Sequence, residues 1–394
     1  MAGIGKISYS LYLWHWPVFC FFKIWLHSLP GISYLYYDHF ELIRLSLILI
    51  SFILAVFSYY LIERPVRSRR ILTAKSRLFL YSAAIALFLL ASGLLIRWGE
   101  GFPKRIGAAV RAYEAGARDR VAGYDERPVL TYGQKHIPRL IGEKEKKPSF
   151  WIWGDSWAIS WAEAIEELAD EYEVSGRESA MPGCRPVYDI NNSYNYPQQK
   201  DTADGCRIMN DAALELIEKS DIRHIVIIAF YGTDIDRSKG ADSENGDQPA
   251  VDGPAERPGS SGGRATTREV FTRLVKELTK NGKTVWALAP VPRYAEPVPE
   301  LLVKAVKKGD PIETLGMKTT QFERSAAPVM EMYHEAEKYG LRILPISPKI
   351  CGGDYCALAD RRGSFYMDDY HLSVYGTRYF RDSLRPVFEE ISRR

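Results

Sequence analysis

Three long apolar runs crowd into the first hundred residues, and no other feature restricts the chain so severely. Ile7 to Phe22 carries no formal charge, and the run resumes after Lys23 with Ile24, Trp25 and Leu26. Leu45 to Ile62 is uncharged between Arg44 and Glu63, and Leu78 to Ile96 is uncharged between Arg77 and Arg97. Each approaches the ~20 residues a helix needs to cross ~30 Å of hydrocarbon. Lipid offers an unpaired backbone no partners, so helices are the expected spanning form. The predicted spans are about 7–26, 44–62 and 78–97. Whole-chain averages hide them: 46% apolar residues and a net charge of +3 over 394 residues describe an ordinary soluble protein. Those averages exclude a disordered or collagen-like chain. With 52 basic against 49 acidic residues, nucleic-acid binding has no general electrostatic basis.

The loops set an orientation. Asp38 and Glu41 precede the first basic residue of the first loop, Arg44, whereas the second holds Arg64, Arg67, Arg69, Arg70, Lys75 and Arg77. Short basic loops stay cytoplasmic. The N-terminus and the 63–77 loop are therefore expected inside, with the 27–44 loop and everything after Arg97 outside. Trp14, Trp16, Trp25, Tyr34, Tyr36 and Tyr37 suit an interfacial aromatic belt. The first run lacks the basic start and small-residue exit of a signal peptide, which favours a spanning helix.

Beyond the spans, residues 98–147 read as a charged connector and 148–394 as an α/β domain. Apolar strands are predicted at 149–153, 224–230, 284–289 and 342–346. Helices are predicted after Ser156, where Ile159, Trp161, Ala162, Ile165 and Leu168 share a face, over 269–281, and after His371. Alternating strands and helices predict a parallel sheet with helices on both faces, three layers in all. The stretch 237–266 is rich in Gly, Ser, Asp, Pro and Glu and nearly free of large apolar residues. It cannot bury enough surface to order itself and reads as a disordered insertion.

Two motifs carry chemistry. Gly154-Asp155-Ser156 stands where a strand passes to a helix, the place where open α/β sheets build their sites. A serine there lies near backbone N–H groups that can stabilise an oxyanion. Asp368-Asp369-Tyr370-His371-Leu372-Ser373 places an Asp three residues before a His, close enough to orient the imidazole as a base. Each motif alone also fits a plain structural role, with Ser156, Asp369 or Ser373 as a helix cap. Their pairing, at the first strand and the last turn of one α/β domain, points to a serine acyl-enzyme with Ser156, His371 and Asp368.

On these residues the soluble part resembles an SGNH/GDSL-type domain. The nucleophile block is matched by Gly154-Asp155-Ser156 and the last block by Asp368, His371, Leu372 and Ser373. The membrane part resembles the end of an acyltransferase-3 (OafA/YrhL-like) domain, on the runs Ile7 to Pro17 (ISYSLYLWHWP) and Ser58 to Arg67 (SYYLIERPVR). Together the halves look like the fused acyltransferase-3–SGNH architecture, which acetylates cell-surface glycans. The chain departs from that pattern in four ways. The family's ten-helix membrane unit and linking helix shrink to about three spans, so the chain is expected to be N-terminally incomplete, and His15 reads as structural. The oxyanion glycine is best matched by Gly183. No residue matches the family's asparagine, and Thr233 or a backbone N–H is the candidate substitute. Trp157 also follows the serine where His is frequent in this branch.

Cys184, Cys206, Cys351 and Cys356 fall on the predicted outside, where disulfides form. The resemblance implies Cys184–Cys206 and Cys351–Cys356, although four cysteines allow three pairings. Spacing argues against a zinc site, since Cys351 and Cys356 have no second CxxC or paired His. Cys20 is expected to be a free thiol in the first span.

The resemblance implies O-acyl transfer, with acetyl-CoA as donor through the membrane domain and no bound cofactor. The acceptor would be a surface or secreted glycan such as lipopolysaccharide O-antigen or exopolysaccharide. The expected location is the bacterial inner membrane, with lipid and the missing N-terminal membrane portion as further partners and the SGNH domain in the periplasm. Two other readings stay open: a membrane-anchored glycan O-acetylesterase using the same three residues, and a non-catalytic glycan-binding module.

Overall fold

The computed structural model describes residues 2–27, 40–68, 74–99, 101–102, 106–124, 135–187, 200–232, 235 and 266–393. The chain divides into two compact units, Met1–Pro103 and Lys104–Arg394.

In the first unit, α1 (Ala2–His27) packs along α2 (Phe40–Ser58), which continues through a π-helical turn at Tyr59–Glu63. Ser10 donates a hydrogen bond to Glu63 at 2.8 Å, and Arg67 pairs with Glu63 at 3.1 Å. The two motifs that suggested an acyltransferase-3 end thus meet side chain to side chain. A third helix, α3, follows (Lys75–Trp98). Among the described residues two helical stretches, Glu41–Arg67 and Ser76–Trp98, are long and apolar enough to cross a membrane. Two of the about three expected spans meet this criterion. The 7–26 stretch does form helix within α1, but its Tyr, Trp, Ser, His and Pro residues dilute the apolar run. On α3, Phe79 is 74% and Phe88 69% exposed, a ring of apolar surface that water would not tolerate and lipid would.

The second unit is built on a sheet of order β1-β3-β2-β4-β5-β6. Its strands are β1 (Arg139–Gly142), β2 (Pro148–Gly154), β3 (Ser175–Ala180), β4 (His224–Ile228), β5 (Thr284–Leu288) and β6 (Leu341–Leu344). All neighbours run parallel except β1, which pairs antiparallel with β3, so the predicted parallel sheet is a mixed one. The exception lies in the stretch read as connector, which also carries α4 (Ala108–Gly116). Neither β1 (RLIG) nor β3 (SGRESA) has the apolar run by which the other strands could be read.

Strand periodicity divides the core. Phe150, Ile152, Val226, Ile228, Trp286 and Leu288 face one layer. That layer holds α5 (Ser156–Ser160), α6 (Ala162–Glu171), α9 (Val298–Lys308), α11 (Val374–Phe380) and α12 (Arg385–Ser392). Trp151, Trp153, Ile225, Ile227, Val285 and Ala287 face the other, against α7 (Lys200–Lys219), α8 (Thr267–Lys280) and α10 (Thr319–Glu337). A strand buried on both faces must be apolar throughout, which is why 150–153 and 225–228 read so clearly. Each fully buried Trp removes roughly 200 Å² from water, worth about 5 kcal/mol before entropy is counted. Their indole N–H groups are satisfied, Trp151 by Ser179 at 3.0 Å and Trp153 by Asn210 at 2.8 Å. Most of the stretch 237–266 lies outside the described residues. Thr266 closes it as the cap of α8, in a reciprocal capping box with Glu269.

Candidate active site

The nucleophile position is fixed by crowding at the end of β2. A Cβ on Gly154 would stand 2.0 Å from the Ile228 carbonyl and 2.6 Å from the Ala158 Cβ, so only glycine fits between β4 and α5. Asp155, not Ser156, caps the helix: its Oδ1 accepts from the Trp157 N–H at 2.9 Å, while Oδ2 accepts from the Phe230 N–H at 2.9 Å. One buried carboxyl therefore ties the start of α5 to the end of β4 and frees the Ser156 hydroxyl. Burial pushes Asp155 up to about 6, against those two N–H bonds and the nearby His371 and Arg185.

His371 reaches Ser156 from the last turn before α11. Asp368 Oδ1 accepts from the backbone N–H groups of Tyr370 (3.0 Å) and His371 (2.8 Å), which folds residues 368–371 into a tight turn. Its other oxygen, Oδ2, lies 2.7 Å from His371 Nδ1, and His371 Nε2 lies 2.7 Å from Ser156 Oγ. A carboxylate only accepts, so the proton sits on Nδ1 and leaves the Nε2 lone pair facing the serine hydroxyl. Burial raises the Asp368 carboxyl, but its bond to and attraction by His371, with the two N–H bonds, outweigh this and hold it below its ordinary value. Ser373 caps α11, accepting from the Gly376 N–H at 3.0 Å, which anchors the turn from its far side.

The sequence pairing of Ser156, His371 and Asp368 is thus brought together as a continuous chain of hydrogen bonds. Gly183 sits with φ +72° in the turn after β3, where the Met181 N–H approaches the Gly154 carbonyl at 3.4 Å. That turn is held by the Cys184–Cys206 disulfide to α7, by Arg185 donating to the Tyr231 carbonyl at 2.8 Å, and by Asn210 donating to the Arg185 carbonyl at 2.9 Å. Thr233 lies outside the described residues. Cys351 and Cys356 are also joined, in the loop preceding the Asp368 turn, and Cys20 is free.

Several neighbours went unseen in the sequence. Tyr124 meets the His371 ring edge-on at 6.2 Å and reaches the hydroxyls of Ser160 and Ser156. Burial, helped by Asp368, pushes its phenol up to about 12, so it remains a neutral donor. Tyr370 lies against the imidazole at 4.0 Å, and Phe230 bridges Tyr370 and Trp157 at 5.3 and 5.4 Å. The partial signal was aromatic clustering beside both motifs.

The family pattern described as "SGNH domain (fused to AT3 domains)" matches residues 124–386, wholly within the second unit. Among solved structures, the periplasmic domain of a Salmonella ser. Paratyphi A lipopolysaccharide acetyltransferase is similar at 12% identity and TM-score 0.44, over 72% of this chain and 98% of that one. No curated protein matches the sequence. The family match spans most of the chain and contains the serine, the aspartate and the histidine of the hydrogen-bonded relay, and on it the chain belongs to the family of SGNH domains fused to AT3 domains.

Proposed function

We propose that the chain is an O-acyltransferase, acetyl being the expected group, that modifies a cell-surface glycan through an acyl-enzyme on Ser156. The carrying observation is the Asp368–His371–Ser156 relay, with both links at 2.7 Å. In the first half-reaction His371 Nε2 takes the hydroxyl proton as Ser156 Oγ attacks the acyl carbonyl, and Asp368 stabilises the imidazolium. The backbone N–H groups of Ser156 and Gly183 are the proposed oxyanion donors. Collapse expels the donor's leaving group, which takes the proton from His371. In the second half-reaction a sugar hydroxyl gives its proton to His371 and attacks the ester carbonyl, and collapse expels Ser156 Oγ, which takes that proton back from His371.

The first unit supports transfer over plain hydrolysis. Its two apolar stretches, with α1 as a proposed third crossing, resemble the end of an acyltransferase-3 domain, which would draw acetyl from cytoplasmic acetyl-CoA. On the loop-charge argument the second unit lies outside the cytoplasmic membrane, where its two disulfides are stable. The test is the acetyl content of surface glycan in cells with and without the gene. Loss of acetyl on deletion supports the reading. A gain on deletion supports an esterase, and no change in either direction removes both.

A further inference from the structure

A cation stands at the rim of the candidate site that the acyl chemistry does not use. Arg293 lies in the segment between β5 and α9. Its guanidinium carbon is 5.2 Å from the centre of the Tyr370 ring and 5.8 Å from that of Phe230. Its Nε pairs with Asp369 at 3.4 Å, yet the side chain is 58% exposed. Because Tyr370 rests on the imidazole at 4.0 Å, the guanidinium and His371 both contact the same aromatic ring. The backbone locks this arrangement: the Tyr294 N–H donates to the Asp369 carbonyl at 2.8 Å and the Val298 N–H to the Asp368 carbonyl at 3.1 Å.

A guanidinium offers its donors in a planar fork suited to two oxygens of one anion. Here the Nε edge faces Asp369, and among the described residues no hydrogen bond occupies the Nη pair. Two ring contacts and the Asp369 pairing already restrain the side chain, so less rotamer freedom is lost when an anion docks. A long basic side chain that is stacked, oriented and still open to solvent beside a reacting centre is a preorganised receptor.

We propose that Arg293, steadied by Tyr370, Phe230 and Asp369, anchors an anionic acceptor glycan by gripping a carboxylate or phosphate on the sugar unit next to the hydroxyl that is acylated. Placing the acceptor there rests on the acyl-transfer reading of Ser156; the anion binding itself does not. The test is therefore a binding measurement on the full chain in detergent micelles, carrying Ser156→Ala so that no turnover occurs. The probes are methyl β-D-glucuronide, methyl β-D-glucoside 6-phosphate and neutral methyl β-D-glucoside. Saturable binding is expected for at least one charged sugar and much less for the neutral one, and the two charged arms separate carboxylate from phosphate. Arg293→Gln should weaken the charged sugar about tenfold, with Arg293→Lys recovering part of the loss.

Asp369→Asn separates binding from scaffolding. If Arg293 only clamps the 368–371 turn through Asp369, this variant should lose as much as Arg293→Gln. If Arg293 binds anions, removing the competing carboxylate should tighten the charged sugar. Equal binding of all three sugars, no binding of either charged one, or parallel losses in Arg293→Gln and Asp369→Asn would each overturn the proposal. Failure of Ser156 to acylate would sink the enzymatic reading and leave this measurement readable.

Discussion

Replacing Asp368 by Asn should nearly silence the site while leaving it folded, and the geometry says why. The carboxylate accepts three hydrogen bonds, two backbone N–H groups on Oδ1 and the imidazole on Oδ2. An asparagine has one acceptor oxygen. The two N–H groups are fixed by the turn, so that oxygen stays with them and the amide NH₂ faces His371 Nδ1. An amide donor there forces the imidazole proton onto Nε2, which then points a hydrogen at Ser156 Oγ and can no longer accept its proton. Because the turn keeps both backbone bonds, the stability change should stay within about 1–2 kcal/mol. The rate loss should reach about 10³–10⁴-fold, as when a triad is locked in the wrong tautomer, corresponding to about 4–5.5 kcal/mol. Acylation by p-nitrophenyl acetate, followed as a burst with the detergent-solubilised chain, gives the rate, and thermal unfolding gives the stability. An Asp368→Asn rate within tenfold of the parent, in a protein that unfolds at the parent's temperature, would refute the proposed relay.

Three further outcomes follow from the same structure. Gly154→Ala should destabilise the second unit by about 3 kcal/mol or more, since its Cβ would meet the Ile228 carbonyl at 2.0 Å, inside the parallel β2–β4 pair; a thermal midpoint equal to the parent's would contradict that packing. Asp155 is raised to about 6 from an ordinary value near 4, so its folded form binds the proton more tightly than the unfolded chain does. Stability from this group should therefore rise as pH falls from 7 through 6 toward 4, by on the order of 2–3 kcal/mol, and a protonated-carboxyl infrared band should titrate near pH 6 and be missing from Asp155→Asn. Reducing Cys184–Cys206, with a sequence separation of 22 residues, should cost about 3 kcal/mol and slow acylation, because the Gly183 turn loses its tie to α7; an unchanged burst rate after reduction would detach that turn from the chemistry.

The sequence was most readable where one physical demand dominated. Strands 150–153 and 225–228 stood out because burial on both faces requires unbroken apolar runs. Ser156 and the Asp368–His371 turn were legible because their chemistry depends on local spacing, and folding only had to bring two ready-made pieces together. The edge strand β1 and its partner β3 were not, because RLIG and SGRESA carry no apolar run and are set by pairing with neighbours. The double role of Asp155 was hidden for a related reason, since its second partner, the Phe230 N–H, lies 75 residues away. Tyr124 and Arg293 act across loops whose contacts no local pattern records. In the first unit, an uncharged run over 7–22 that resumes after Lys23 predicted a span at 7–26, while its aromatic and polar residues leave α1 outside the two stretches that meet the apolar standard.

The proposed chemistry stands on Ser156 being a nucleophile activated by His371. The most direct measurement exposes the detergent-solubilised chain to a fluorophosphonate probe and maps the modified residue by mass spectrometry. Covalent modification at Ser156, abolished in Ser156→Ala and slowed by orders of magnitude in His371→Ala, is the predicted result. An unlabelled Ser156 in a folded parent, or labelling that proceeds equally without His371, would contradict an activated serine.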